Sequence, residues 1–230
     1  MEEIVPFSSL EGKKVLEVGC GVGYDAYDFC SHGARYVGID ITPENVERCR
    51  NHLEYFGLEP MVIVGDAEFL PCSDGSVDVV FSNGVLHHTP DIGKSFREAN
   101  RVLCPQGEFW VILYHKNSIF HWISVVLFDY LLTFKFLQYT YSERLSMIEY
   151  TTSSFHPLVK VFSKRSVRSL LTTAGFLVDQ MWVRKLTTED LPNFPLFRHV
   201  WRRIPQGWLN WASARWGWYL IAKATKRPSV

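Results

Sequence analysis

The sequence predicts an α/β fold built on a doubly wound, mostly parallel sheet. Three observations carry the prediction. Short β-rich apolar runs alternate with helix-period segments between residues 13 and 115, glycines cluster where the first run passes into the first helix, and the alternation breaks at a long apolar stretch after the fifth run. Right-handed crossovers would join the parallel strands. The 230 residues suffice for one large domain whose core needs neither disulfides nor metal. Hydrophobic residues at 47% and charged residues at 21% exclude a disordered tail or a fibre. The 24 Lys and Arg balance 24 Asp and Glu, so no nucleic-acid partner is expected.

The elements follow in order. Val15–Val18 is a strand that ends in glycines, Tyr24–His32 a helix and Ala34–Asp40 the second strand. Pro43–Tyr55 reads as a helix with Thr42 as N-cap and Pro43 in the first turn, where the missing N–H costs nothing. Pro60–Gly65 is the third strand, and Val77–Ser82 the fourth, entered through the Asp74-Gly75 turn. Ile92–Leu103 is a helix ended by Pro105 and Gly107, and Glu108–Tyr114 the fifth strand. After the apolar stretch Ile119–Tyr139, a helix at Ser166–Ala174 closes on Gly175. Strands at Phe176–Arg184 and Gly217–Ala224 complete the chain.

Glu17-Val18-Gly19-Cys20-Gly21-Val22-Gly23 occupies the first strand-to-helix turn. Glycine is needed where a tight turn takes positive φ or where the backbone approaches a ligand closely. Such a turn indicates a nucleotide-like ligand, and a turn without one would not call for three alternating glycines. A dinucleotide fingerprint would place glycine at position 24, where Tyr24 stands, and no Gly-Lys-Ser/Thr ends the loop. Asp40, at the end of the second strand, can accept both ribose hydroxyls of a nucleoside.

The stretch VLEVGCGVG resembles motif I of the class I S-adenosylmethionine-dependent methyltransferases. GIDITPENVERCR resembles the segment carrying the ribose-binding acid, GDAEFLPCSDGSVDVVFSNGVLHHTPD the next two motifs, and REANRVLCPQGEFWVILYHKNS the last. The four occur in order over residues 15–118. The resemblance implies a Rossmann-like seven-stranded sheet with an antiparallel last strand and S-adenosyl-L-methionine as cofactor. It places Gly19, Cys20 and Gly21 against the methionine part of the cofactor and gives Glu17 the ordering of the loop. It puts Asp40 on the ribose, Ile41 against the adenine, Asp66 and Ala67 at the adenine amino group, and Asn83 at the methionyl end. The chain is then expected to be one domain over 1–230, with a cofactor-binding half at 13–115, a helical lid insert at 116–160, and a sheet-completing part at 161–230. A Trp-rich insert occupies 185–216. The first strand begins so early that almost no N-terminal lid precedes it.

Methyl transfer from a sulfonium is an in-line displacement that asks mainly for alignment and exclusion of water. A base, where the acceptor needs one, would be His88, with His87 and Tyr114 as further candidates and His115 beside them. Adjacent His87 and His88 diverge, so no metal site is expected. The expected substrate is a small hydrophobic or lipid-like molecule methylated at oxygen or nitrogen. The rival readings are an NAD(P)-dependent oxidoreductase and a non-catalytic cofactor-binding subunit.

Apolar side chains lie on nearly every helical face of Ile119–Tyr139: Ile119, Trp122, Val126, Tyr130 and Phe134 on one, Phe120, Ile123, Leu127, Leu131 and Leu137 beside it. A helix hydrophobic all round must be buried, as a lid over the sheet, against a second copy or a greasy substrate, or at a membrane surface. Asp129 near its centre, at about 2.5–3.5 kcal/mol on insertion scales, argues against a spanning segment. His121 and His156 are expected to be packed. In the second insert Arg198, Arg202, Arg203 and Arg215 interleave with Trp201, Trp208, Trp211 and Trp216, read as a surface extension with the indoles packed on the sheet, or else as a lipid head-group site. Five cysteines with no CxxC pair read as free thiols, and Met1-Glu2-Glu3 does not open a signal peptide, so a cytoplasmic protein is expected, peripheral to a membrane if 119–139 touches one.

Overall fold

The structure, a computed structural model, describes residues 5–147, 157–191 and 203–228. His156, Arg198, Trp201 and Arg202 lie outside the described residues. Seven strands form one sheet: β1 (Lys14–Val18), β2 (Arg35–Asp40), β3 (Met61–Val64), β4 (Val77–Asn83), β5 (Leu103–Tyr114), β6 (Phe176–Arg184) and β7 (Tyr219–Lys226). Their spatial order is β3-β2-β1-β4-β5-β7-β6, with β7 antiparallel beside β6. β1 pairs in parallel with β2 and β4, and β2 with β3. The order reverses beside β1, and open α/β sheets bind ligands at the carboxyl ends of the strands at such a switch point. This is the seven-stranded sheet that the resemblance implies.

The chain divides into two units. The first gathers Met1–Val111, Arg168–Gln180 and Ala222–Val230. Its helices are α1 (Tyr24–Ser31), α2 (Pro43–Tyr55), α3 (Ile92–Val102) and most of α5 (Lys164–Thr173). Central strands buried on both faces read as continuous apolar runs rather than alternating ones, which is why Val15, Leu16 and Val18 are all buried. Ring pairs Phe7–Phe29, Phe29–Phe81, Phe96–Phe109 and Phe109–Phe176 stand 4.9, 5.1, 5.3 and 5.2 Å apart at their centroids. α3 buries Ile92, Phe96, Ala99 and Val102 at helical spacing, and its N-cap Asp91 accepts the Lys94 N–H. Arg101 on its other face donates to Glu98, Asp74 and the carbonyls of Leu70 and Cys72. That knot fixes the loop after β3, which carries part of the site.

Two details differ from expectation. Thr42 stands at the α2 N-cap, but its side chain makes no capping bond; the Asp40 carboxylate accepts from Thr42 N and Asn45 Nδ2 instead. β5 begins at Leu103, ahead of the expected Glu108. Gln106 takes φ 64°, and a Cβ on Gly107 would lie 2.9 Å from the Cys104 carbonyl oxygen, so the turn signalled by Pro105 and Gly107 is a bend inside the strand.

The second unit gathers Ile112–Val167 and Met181–Ile221. It contains a π-helix (Phe120–Leu132), α4 (Tyr141–Ser146) and α6 (Gln206–Trp216). One apolar cluster joins Val125, Leu145 and Val159 with Tyr114, Phe120 and Val161, and another joins Leu186, Leu209 and Ala212 with Ile119 and Ile204. The stretch 119–139 is not buried all round within this chain. Only His121 and Val125 of the π-helix are fully buried, and Leu132, Phe134 and Leu137 are 56%, 63% and 74% exposed. The i→i+5 winding redistributes side chains that an α-helix would have grouped on two adjacent faces. Asp129 is held by Lys135 at 2.6 Å and by Arg144, so the two charges of the stretch neutralise each other with help from α4. Burial alone would raise the Asp129 carboxyl, but the hydrogen bonds from Arg144 and Lys135 hold it below its ordinary value. The indoles of Trp208, Trp211 and Trp216 on α6 remain half exposed, with the Arg215 guanidinium 4.6 Å from the Trp211 ring centre.

Candidate functional site

The strand ends of the first unit enclose a cleft of about 240 Å³. β1 contributes Gly19 just past its end, β2 ends in Asp40 and Ile41, and the loop after β3 supplies Asp66, Ala67 and Glu68. The loop after β4 closes it with Val85, His88, Thr89 and Pro90. Six of the expected site residues thus share one cleft: Gly19, Asp40, Ile41, Asp66, Ala67 and His88.

The glycine loop is built from two different requirements. Gly19 has φ 84°, and a Cβ there would collide with the Val85 side chain at 2.3 Å. Gly21, at φ 52°, faces open space with nothing within 4 Å of a Cβ position. The first glycine therefore makes room for protein, and at the second the positive φ alone calls for glycine. The amides of Gly19 and Cys20 both donate to the Ile39 carbonyl, at 2.8 and 2.9 Å, which pins the loop to the end of β2.

Asp40 is 7% exposed and accepts three hydrogen bonds: Gly21 N–H at 3.0 Å on Oδ2, Thr42 N–H at 2.9 Å and Asn45 Nδ2 at 3.2 Å on Oδ1. Its oxygens have lone pairs to spare, at an orientation set by the loop and by the start of α2. Ile41 beside it is 69% exposed, an apolar side chain on the cleft wall. Asp66 accepts the Glu68 N–H at 2.8 Å on Oδ1, and Glu68 in turn accepts the Asp91 N–H, so this loop is braced against α3.

Glu17, Cys20, Gly21, Asn83, His87 and Tyr114 do not line the cleft. Glu17 is buried and accepts the Tyr36 hydroxyl at 2.5 Å. Burial, then the nearby Asp25, push its carboxyl well above the ordinary range. Its partner across the ladder is Gly38, where a Cβ would lie 2.5 Å from the Tyr36 hydroxyl; that glycine is what lets Tyr36 reach it. The hydrogen bond with Cys49, followed by burial, holds the Cys20 thiol protonated. Asn83 donates to Asp25 at 2.8 Å, tying the end of β4 to the first turn of α1. His87 is fully buried with its ring 4.0 Å from that of His88, and burial drives it well below the ordinary imidazole range, so it is neutral. Tyr114 belongs to the second unit, where its ring stacks on Trp218 at 4.4 Å. The cleft also recruits Val85 and Pro90, which sequence reasoning missed. The signal for Val85 was indirect: a glycine at position 19 has to make room for some neighbour. Among the described residues, no group of three or more His, Cys, Asp or Glu could hold a metal ion.

Residues 16–111 match the family described as "Methyltransferase domain". The phthiotriol/phenolphthiotriol dimycocerosates methyltransferase of Mycobacterium leprae is 35% identical over 117 residues, 50% of this chain and 43% of that protein. An uncharacterised methyltransferase of Bacillus subtilis is 34% identical over 100 residues, 43% of this chain and 40% of its own length. The chain thus spans under half the length of these curated relatives. A solved SAM-dependent methyltransferase from Methanosarcina mazei superposes with a TM-score of 0.68 at 20% identity, covering 95% of this chain and 94% of that one. Residues 16–111 thus resemble a methyltransferase domain in sequence, and the fold over nearly the whole chain is that of the solved methyltransferase.

Proposed function

We propose that this protein transfers the methyl group of S-adenosylmethionine to a small, apolar or lipid-like acceptor, at oxygen or nitrogen. The observation that carries the reading is Asp40, a carboxylate clamped by three donors at the switch point of the sheet, beside an exposed Ile41 and an open Gly21.

These residues fit the cofactor. Asp40 would accept from the ribose hydroxyls with a carboxylate already oriented, so little ordering is lost on binding. Ile41 would cover one face of the adenine, and Asp66 with the Ala67 backbone would meet its amino group. The space at Gly21 would admit the methionine part against bare backbone, while Glu17 holds the loop from behind through Tyr36. Asn83 would face the methionyl end from the end of β4. The cofactor supplies a methyl group on a positively charged sulfur. An amine acceptor that arrives neutral needs no base; a hydroxyl acceptor would give its proton to His88, the one imidazole in the cleft wall. His87, buried and neutral behind it, supports that turn. Tyr114 would act, if at all, through its stack with Trp218.

The apolar character of the acceptor rests on the second unit, where Leu127, Leu132, Phe134 and Leu137 stay exposed. That surface is read as the contact of residues 119–139 with a membrane surface or a second copy, in a protein of the cytoplasm. No helix among the described residues is long and apolar enough to cross a membrane.

The test is calorimetric titration of the purified chain with S-adenosylhomocysteine and, separately, with NAD. S-adenosylhomocysteine should bind and NAD should not, and Asp40→Ala should weaken the first at least about tenfold through loss of charge-assisted hydrogen bonds. Binding of NAD instead, or unchanged affinity in Asp40→Ala, overturns the reading.

A further inference from the structure

The second unit contains a cavity of about 550 Å³ between the π-helix, α4 and the segment after Pro157. That volume lies in the range of small-molecule sites. Its walls are apolar: Trp122, Val126, Tyr130, Leu131, Leu145 and Val159. Lys116, Ser142 and Lys160 also line it, and one polar pair interrupts the apolar walls. His121 is 2% exposed, its Nδ1 lies 2.6 Å from the Lys116 carbonyl oxygen, and its Nε2 lies 2.5 Å from the Tyr141 hydroxyl.

The proton positions in this pair follow from chemistry. A carbonyl only accepts, so Nδ1 carries the hydrogen. Burial lowers the His121 imidazole below its ordinary range, so the ring is neutral and Nε2 is bare. Tyr141 must therefore donate its proton to Nε2, and burial keeps that phenol from ionising. With its only hydrogen committed, the Tyr141 oxygen offers the cavity a lone pair and nothing else. Lys116 and Lys160 repel a cation and draw an anion, but an anion at the Tyr141 oxygen would meet lone pair with lone pair; a neutral donor alone satisfies that oxygen without repulsion.

We propose that this cavity binds a neutral apolar molecule bearing a hydroxyl group, an alcohol or phenol that donates to the Tyr141 oxygen while its hydrocarbon body fills the space beside Trp122 and Tyr130. The site belongs to the second unit and stands whether or not the bound molecule is the methyl acceptor.

Four probes of one shape separate the chemistries: 1-naphthol, naphthalene, 1-naphthoate and 1-naphthylmethylammonium, each measured by equilibrium dialysis against the full chain. 1-Naphthol should bind tightest. Tyr141→Phe should weaken 1-naphthol by about fivefold or more, the worth of one hydrogen bond, and leave naphthalene unchanged. Val126→Trp, which fills the cavity, should remove both. Tighter binding of the anion or the cation, indifference of 1-naphthol to Tyr141→Phe, or no binding of any probe overturns the proposal. S-adenosylhomocysteine titrated in parallel keeps the two readings apart and reports that each variant is folded: a chain that binds it but no 1-naphthol lacks only this site.

Discussion

Gly19 and Val85 claim the same space. A β-carbon on Gly19 would lie 2.3 Å from Val85 Cγ2 and 2.5 Å from Cγ1, and both residues line the cleft at the strand ends. Gly19→Ala should therefore cost about 2–4 kcal/mol of stability, combining overpacking with a side chain forced to φ 84°. Val85→Ala in the same chain removes the two methyl groups but leaves Val85 Cβ 2.7 Å from the new β-carbon and the backbone strain untouched, so it should restore only part of the loss. Urea unfolding of the two single variants and the double variant measures this directly. Additive effects would show that the two residues do not meet.

His87 and His88 are neighbours with separate fates. His88→Ala opens the cleft wall and should lower methyl transfer to a hydroxyl acceptor while leaving the unfolding midpoint within a few degrees. His87→Ala hollows the core and should cost about 2–4 kcal/mol. Burial holds the His87 imidazole, and likewise those of His115 and His121, below the ordinary value of 6.5. For a base whose folded value is depressed, the unfolded chain binds the extra proton, so stability is lost as pH falls through about 6.5. The wild type should be less stable at pH 5.5 than at pH 7.5, and His87→Leu should reduce that difference by about 1.4 kcal/mol in all, one proton's share across the window. A slope that His87→Leu leaves unchanged would mean the ring titrates normally.

How much of this was legible beforehand depends on the range of the interactions. Helices and strands from β1 to β5 follow from period and punctuation, which are local. Asp40 was legible because the end of a strand beside a glycine turn is a position with a known chemical use. Val85 was not, because its approach to Gly19 depends on how the loop after β4 folds back on the loop after β1. Thr42 was legible as the N-cap, but not that its hydroxyl would make no capping bond while Asp40 takes its N–H and the Asn45 side chain. The stretch 119–139 is a different case. Its composition is apolar on every face, so no periodicity could show that it winds as a π-helix or that Asp129 finds Lys135 and Arg144.

Glu17 gives a pH dependence of opposite sign. Its folded carboxyl sits above the ordinary value of 4.5. Its contribution to stability is fully present below about pH 4.5 and is lost as pH rises through the folded value. Glutamine cannot lose a proton and can still accept from Tyr36. The stability of Glu17→Gln relative to wild type should therefore improve between pH 5 and pH 8, as read by urea unfolding at each pH. Because Glu17 faces Tyr36 rather than the cleft, the variant should also keep its affinity for S-adenosylhomocysteine. A marked loss would place the carboxylate on the cofactor itself.

Phe134 ends the apolar stretch in a conformation that suits glycine. It has φ 58° and ψ 22°, is 63% exposed, and opens the short turn Lys135–Leu137. A left-handed backbone costs an L-residue roughly 1–2 kcal/mol, and among the described residues the ring beside it is Phe136, 6.0 Å away. Comparing Phe134→Gly with wild type would mix three effects: the backbone relief, the lost ring contact and the greater freedom of glycine in the unfolded chain. Comparing Phe134→Gly with Phe134→Ala cancels the ring, since both variants lack it. What remains is the strain that alanine keeps and glycine sheds, less about 0.5–1 kcal/mol for the unfolded state. Phe134→Gly should therefore be the more stable of the two by about 0.5–1 kcal/mol in urea unfolding. Were alanine the more stable, the left-handed turn at the end of the π-helix would not exist in solution, and the ion pair between Lys135 and Asp129 would lose the bend that brings it together.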